Sequence, residues 1–371
     1  MINMKATSIK REGSNWETPA VETLEKIMHE DKGDTSRGQR LDRMFEKTQG
    51  HLPAAAHSIV SANNGKPNLR IMTGFYIEKA GAAETDGIIS AAQMTYFFKQ
   101  AGIECCIVTD EHCSDVCKAA LKEYGCDDLI EIVDKDNQVD TADDWNKRGV
   151  THVIAIERPG PSFSDCIPYN MKGEPIEHCV QMHQLFRGDF VNGGRKWTTI
   201  GVIDRGNEMG SGSLPGDVVS EDIDNGSKIW CKIGADHLLV ARVSNWAANA
   251  LTAAVAILGD ADWPEHLNLA LDVNLMEKAL KSMMSAGAVD GITHNNDQRF
   301  PTVDALPLKR HAEQTDLFLC AVDAAMFGRS LSEPNRKKMH RSTARSGGGK
   351  TSFPLSVAGL PKRMHARMMF G

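Results

Sequence analysis

Apolar residues along the chain gather in short β-branched runs, separated by longer stretches in which apolar positions recur every three or four residues. The runs are 69–75, 103–110, 129–133, 152–156, 198–203 and 236–241. Each is short and continuous, as a strand buried on both faces requires. Helices are predicted over 86–98, 114–124, 141–148, 247–258 and 268–286, with a closing helix from 303 to 327. Thr85 or Asp86 stands where the first would be capped, and Ser244 or Asn245 where the fourth would be; Gly102 and Gly125 end two others. Strands alternating with helices at this interval specify an α/β fold, a mostly parallel Rossmann-like sheet with helices on both faces.

The two ends of the chain read differently. Residues 1–50 are polar and charged, with helical patterns at 21–28 and 41–45, and form a helical lead-in. Arg37, Arg40 and Arg43 share a helical spacing there; a solvated face is the expected reading, an anion-facing stripe the alternative. The α/β domain is expected over 51–328. From 329 to 371 the chain becomes basic and glycine-rich, and a mobile tail is expected. With 371 residues, 41% of them hydrophobic, the chain can bury a large core. Its net charge of −7 argues against a nucleic-acid binder. Nine scattered cysteines without a C-x-x-C pair fit a reducing compartment. His112, Cys113 and Cys117 lie close together, but no second pair with ligand spacing supports a metal site there. No apolar run reaches membrane-spanning length and the first residues lack the apolar core of a signal peptide, so a cytoplasmic protein is expected.

Candidate chemistry collects where the runs end, because ligands of open α/β sheets bind outside the carboxyl ends of the strands. The run ending at Ile203 passes into Asp204, Arg205, Gly206, Asn207, Glu208, Met209, Gly210, Ser211 and Gly212. A helical turn starting at Asp204 would put Asp204 and Glu208 on one face, and the glycines would let backbone amides approach an anion. A solvated loop is the plainer alternative. The run ending at Ile156 passes into Glu157, Arg158, Pro159 and Gly160, which read as a base beside a carboxylate clamp, or else as an ion pair closing the strand. The first run leads through a loop over 78–85 to Thr85, Asp86 and Gly87 at a helix start, an anion-binding arrangement without the G-x-G-x-x-G spacing of dinucleotide folds. Asp110 closes the second run. A long loop carries Asp165, Tyr169, Asn170, Met171, Lys172 and Gly173; 214–223 reads as a lid; Asp290 sits in a further acid–glycine turn.

Taken in order and spacing, these segments together with Val243-Ser244-Asn245-Trp246 and Val289-Asp290-Gly291 resemble the D-glutamate cyclase family over about 65–325. The chain departs from the family pattern at Arg205, where a glycine is expected, and a form without the long N-terminal extension of animal members is expected. The resemblance implies an α/β fold and reversible conversion of D-glutamate to 5-oxo-D-proline and water.

Such a reaction needs its substrate folded on itself and its protons moved, and holding tethered partners in place is worth about 7–11 kcal/mol. Asp204 and Glu208 are the expected acid and base, with Glu157 as the alternative base. Arg158 is expected to hold a substrate carboxylate, and amides of Gly206, Gly210 or Gly87 the oxyanion. Thr85, Asp86, Tyr169, Asn170, Arg205, Asn207, Ser244, Asn245 and Asp290 complete the expected substrate-binding set. Asp204, Glu208 and Glu157 are also the candidate ligands of a divalent cation, manganese or magnesium. The expected partners are a small acidic substrate and, in a homo-oligomer, further copies of the chain, with neither nucleic acid nor membrane. The rival readings are a racemase or amide hydrolase on the same scaffold, and a non-catalytic protein that binds an acidic metabolite.

Overall fold

The computed structural model describes residues 17–30, 40–189, 191 and 193–342. Its strands are β1 (Asn68–Thr73), β2 (Tyr76–Ile77), β3 (Ala82–Ala83), β4 (Glu104–Thr109), β5 (Ile130–Ile132), β6 (His152–Ile156), β7 (Thr198–Ile203), β8 (His237–Val240), β9 (Thr302–Val303) and β10 (Leu306–Pro307). Its helices are α1 (Glu17–His29), α2 (Asp42–Thr48), α3 (His51–Ser61), α4 (Ile88–Gln100), α5 (Ser114–Glu123), α6 (Gln138–Lys147), α7 (His183–Arg187), α8 (Gly216–Asp222), α9 (Gly226–Ile229), α10 (Ser244–Leu258), α11 (Trp263–Ala270), α12 (Val273–Ser285) and α13 (Leu308–Ser342). Six strands form a parallel sheet in the order β5-β4-β1-β6-β7-β8. The expected α/β architecture is thus the one observed.

Alternation along each strand divides the core. Ile71, Ile107, Ile154, Ile200, Val202 and Leu239 point to one face, under α1, α3, α4, α5 and α10 to α13. Met72, Val108, Val153 and Ala155 point to the other, against Trp145 of α6, Leu185 and Phe186 of α7, and Trp197. Ile203, Leu238 and Val240 continue that second face under α2, α8 and α9. Because both faces are covered, the strands read as unbroken apolar runs in the sequence. The lead-in helix α1 joins the larger cluster through Val21, Leu24 and Met28, at helical spacing.

The strand order places a topological switch between β1 and β6: from β1 the chain winds outward to β4 and β5, from β6 to β7 and β8. Loops leaving the carboxyl ends of β1 and β6 therefore diverge and open a crevice between them.

Several expected boundaries move. The helix expected over 268–286 is two, α11 and α12, because Asp272 caps α12 by accepting from the Leu275 amide at 2.9 Å. The 78–85 loop supplies the turn and second strand of the β2–β3 hairpin, which starts at Tyr76, and the β9–β10 hairpin occupies 302–307 before α13 begins. The segment read as a lid, 214–223, is packed in place: Leu214, Val218, Val219 and Ile223 are buried. Arg43 fastens α8 from α2 through Asp217, Glu221 and Asp222, so it faces carboxylates of the protein rather than an anionic ligand. Arg37 lies outside the described residues. α10 starts at Ser244 behind an extended Val243 whose side chain does not cap it, so neither Ser244 nor Asn245 is the cap. Helix α13 continues past the expected boundary at 328 to Ser342; residues 343–371 of the expected mobile tail lie outside the described residues. Among the described residues no helix is long and apolar enough to cross a membrane.

Candidate active site

At the switch point lies a cleft of about 760 Å³, open solvent at its mouth included. Three carboxylates meet in it from three separate loops. Asp86 follows β1 and the β2–β3 hairpin, Glu157 is the residue after β6, and Asp204 is the residue after β7. Each offers an oxygen within 4.8 Å of the other two, and all three residues are buried. The 157 and 204 segments adjoin because β6 and β7 are paired neighbours in the sheet.

Backbone geometry aims these groups inward. Glu157 has φ +47°, a left-handed conformation that is uncommon for a side chain this bulky. Gly87 stands against it at φ +66°; a Cβ there would come within 2.6 Å of the Glu157 Cβ and 3.0 Å of the Thr73 Oγ1. The Gly87 amide donates to Asp86 Oδ1 at 2.7 Å and to Asn245 Oδ1 at 3.1 Å. Ser244 Oγ donates to Asp86 Oδ1 at 3.3 Å, and Ser90 Oγ to Asn245 Oδ1 at 2.6 Å. Ser244 and Asn245 thus hold Asp86 and its loop rather than projecting into the cleft, whose lining they do not reach.

Two more buried acids stand in the cleft that the sequence did not single out, Glu84 and Asp304. Glu84 falls in the segment read as a loop, and Asp304 was read as a helix start. Asp304 instead has φ +53° in the β9–β10 turn, which directs it to Arg205 at 3.7 Å. Arg205 also pairs with Asp204 at 3.3 Å and is itself buried.

Crowding acids without water raises their proton affinity. Burial first, then the charges of Asp204, Glu208, Asp86 and Glu84, push Glu157 well above the usual carboxylate range. Burial also raises Asp204 well above it, together with Asp304, Glu208 and Asp86, although Arg205 pulls the other way. Glu84 is raised well above it by burial and by Asp86, Asp304, Asp204 and Asp290. Burial works against the charge on Arg205, but Asp204, Asp304, Glu157 and Glu208 more than offset it, so the guanidinium stays protonated. Glu157 Oε1 is buried with no hydrogen-bond partner. A buried, unpartnered carboxylate oxygen beside two more carboxylates wants a proton or a cation, and a set of hard oxygen donors suits manganese or magnesium. The set that converges is Asp86, Glu157 and Asp204, with Asp86 where Glu208 was expected.

Glu208 is placed differently from its expected role. No helical turn starts at Asp204; the chain loops back, and Glu208 lines the cleft while accepting the amides of Asp204 at 3.3 Å and Arg205 at 3.1 Å on one oxygen and Gly206 at 2.7 Å on the other. It is the brace of the 204–208 loop. The three amides expected at an oxyanion are all engaged: Gly206 with Glu208, Gly87 as above, and Gly210 with the Ile233 carbonyl at 2.8 Å. Gly210 is needed for packing, since a Cβ there would lie 2.8 Å from the Cα of Gly201 in β7.

Arg158 points away from the cleft. Its guanidinium pairs with Asp110 at 2.5 Å and donates to the carbonyls of Gly74 at 3.0 Å and Val180 at 2.6 Å, so Arg158 is neither a clamp at the cleft nor the partner of Glu157. Burial alone would raise Asp110, but Arg158 holds its carboxyl below the usual range. Thr85 donates to the Thr302 carbonyl at 3.2 Å. Tyr169 donates to Asp165 at 2.6 Å. Asp290 accepts the amides of Ile292, Thr293 and Ala305. These three position the walls and do not line the cleft. Asn170 and Asn207 do line it, Asn207 donating to the Tyr169 carbonyl at 2.9 Å while its Oδ1 is buried without a partner.

A parallel sheet with an acid-lined cleft at its switch point, built from these loops, defines a small-molecule site of the kind found in α/β enzymes. The D-glutamate cyclase-like C-terminal family matches residues 24–317, and the chain belongs to that family. Among curated proteins, the human mitochondrial D-glutamate cyclase is similar, 38% identical over 108 residues, which is 29% of this chain and 17% of the human protein.

Proposed function

We propose that the chain interconverts D-glutamate and 5-oxo-D-proline plus water, as a hydro-lyase acting by intramolecular lactam formation. The observation that carries the reading is the convergence of Asp86, Glu157 and Asp204 within 4.8 Å, in a chain of this family. The name of the human relative supports the substrate.

In the forward direction the amine nitrogen bonds to the γ-carboxyl carbon and a carbon–oxygen bond of that carboxyl breaks. The ammonium gives up two protons and the departing oxygen takes up two, so it leaves as water and no proton is gained or lost overall. Glu84 is the proton carrier in this reading: burial among acids keeps its proton well above the usual carboxylate range, and it lines the cleft. Arg205, held between Asp204 and Asp304, meets the γ-carboxylate. Asp86, Glu157 and Asp204 would hold a divalent cation, manganese or magnesium, which when bound polarises the γ-carboxyl group.

The test is incubation of the purified protein with D- and L-glutamate and with both 5-oxoprolines, with manganese, with magnesium and with a chelator. Conversion confined to the D-isomers and lost with the chelator is expected. Asp204→Asn and Glu84→Gln should each lower turnover about 100-fold or more while leaving the circular dichroism unchanged. Ligand-induced thermal stabilisation without turnover of any of the four compounds would make the protein a binder instead.

A further inference from the structure

The cleft is graded from bottom to mouth. Its floor is acidic and buried: Asp86, Glu157 and Asp204. Above it stands an apolar band in which exposure rises outward, with Phe75 buried, Ile77 and Met171 half-buried and Ile292 exposed. At the exposed end are two lysines from different elements. Lys79 lies in the turn joining β2 to β3. Lys172 lies in a turn held by Asn170, whose Oδ1 accepts the amides of Lys172 at 2.9 Å and Glu174 at 3.0 Å. Among the described residues neither ammonium has an ion-pair partner. The rim carboxylate nearby, Glu174, accepts from the Asn170 Nδ2 at 2.8 Å and pairs with neither lysine.

We propose that Lys79 and Lys172 form a carboxylate-binding rim that holds the non-reacting α-carboxylate of the substrate, so that a short dicarboxylic amino acid enters with its γ-end first. This inference rests on the reaction proposed above. Lactam formation consumes the γ-carboxylate but leaves the α-carboxylate charged in substrate and product alike. A charge that persists through the reaction is best met by groups that are permanently cationic, and an exposed lysine pair meets it without desolvating an ion. The floor is taken by the reacting end, since Arg205 between Asp204 and Asp304 meets the γ-carboxylate there, so the α-carboxylate has to be met elsewhere along the cleft. The two methylenes of glutamate then lie along the apolar band, and the γ-carboxyl group reaches Arg205. The rim contacts are the same before and after bond formation, so they govern binding and not the rate of the chemical step.

The experiment compares wild type with Lys79→Met, Lys172→Met and the double variant in steady-state kinetics with D-glutamate and with its α-amide, whose γ-carboxylate is intact. In parallel, calorimetry follows binding of 5-oxo-D-proline and its amide. Each single variant is expected to raise KM for D-glutamate about tenfold, the loss of one charge-assisted hydrogen bond, with kcat held. Wild type should prefer the acid to the amide in both assays, and the double variant should treat the two alike. An unchanged KM in the double variant, a fall in kcat at constant KM, or a retained preference for the acid would overturn the rim. A wild type that turns over nothing yet loses its calorimetric preference for the acid in the double variant would overturn the reaction and keep the rim.

Discussion

Replacing Gly87 by alanine should disable the site while leaving the fold standing. The new Cβ would lie 2.6 Å from the Glu157 Cβ, 3.0 Å from the Thr73 Oγ1 and 3.2 Å from the Ile156 carbonyl. Carbon atoms in contact sit about 3.5–4.0 Å apart, so a separation of about 1 Å must open, and Glu157 is the side with room to move, toward the cleft. Two costs add. Holding a non-glycine residue at φ +66° costs about 1–3 kcal/mol, and overpacking about 1–3 kcal/mol more. The sum, about 2–6 kcal/mol, overlaps only the lower end of the about 5–15 kcal/mol by which domains are normally stable. The same displacement shifts Glu157 relative to Asp86 and Asp204, and a misplacement of about 1 Å at a reacting centre costs about 100-fold in rate. Urea unfolding followed by tryptophan fluorescence reads the first effect. Turnover of D-glutamate and calorimetric titration with manganese read the second. A Gly87→Ala protein with the wild-type unfolding midpoint and wild-type turnover would refute the close approach of Gly87 to Glu157 as the device that sets the site.

Glu208→Gln keeps one acceptor oxygen and loses the other, so it should cost about 1–3 kcal/mol in urea unfolding while turnover persists; a stable, inactive variant would return Glu208 to proton transfer. Arg158→Met strands a fully buried Asp110 and should cost about 3–5 kcal/mol with KM unchanged, whereas a raised KM at unchanged stability would make Arg158 a substrate ligand. His152, whose Nε2 lies 3.1 Å from Ser58 Oγ, is pushed down from 6.5 to about 4, by burial first and then by His237. The folded state favours its neutral form, so the stability it contributes is complete above pH 6.5 and drains away as pH falls toward 4, by at most about 3 kcal/mol. A His152→Asn variant should show a flatter decline in unfolding free energy over that window; an identical decline would remove His152 from the acid sensitivity.

The sheet was legible in the sequence because strands covered on both faces are apolar throughout, and the runs 152–156 and 198–203 coincide with β6 and β7 residue for residue. The break between α11 and α12 was carried by one capping aspartate inside an otherwise continuous helical pattern, a local signal that periodicity averages away. At the site, strand ends pointed to Glu157 and Asp204, since position after a buried strand is visible in one dimension. Partnership is not. Arg158 adjoins Glu157 in sequence but leaves on the other side to meet Asp110, 48 residues earlier. Glu208 has the composition of a catalytic acid and the hydrogen bonds of a brace. Glu84 and Asp304 were hidden because hairpins of two-residue strands leave no periodicity to read, and only the fold brings the β9–β10 turn over the switch point.

Placement of the acids on loops after β1, β6 and β7 also sets when the centre can exist. Asp86 and Glu157 precede β7 in the chain, and Asp204 joins them only once β7 is paired with β6. Forming the centre brings acidic groups together, and protons or a cation that neutralise them favour the folded chain over states in which the three loops are apart. Occupancy and folding are in this sense one equilibrium: whatever binds here ties together three stretches of chain that are distant in sequence.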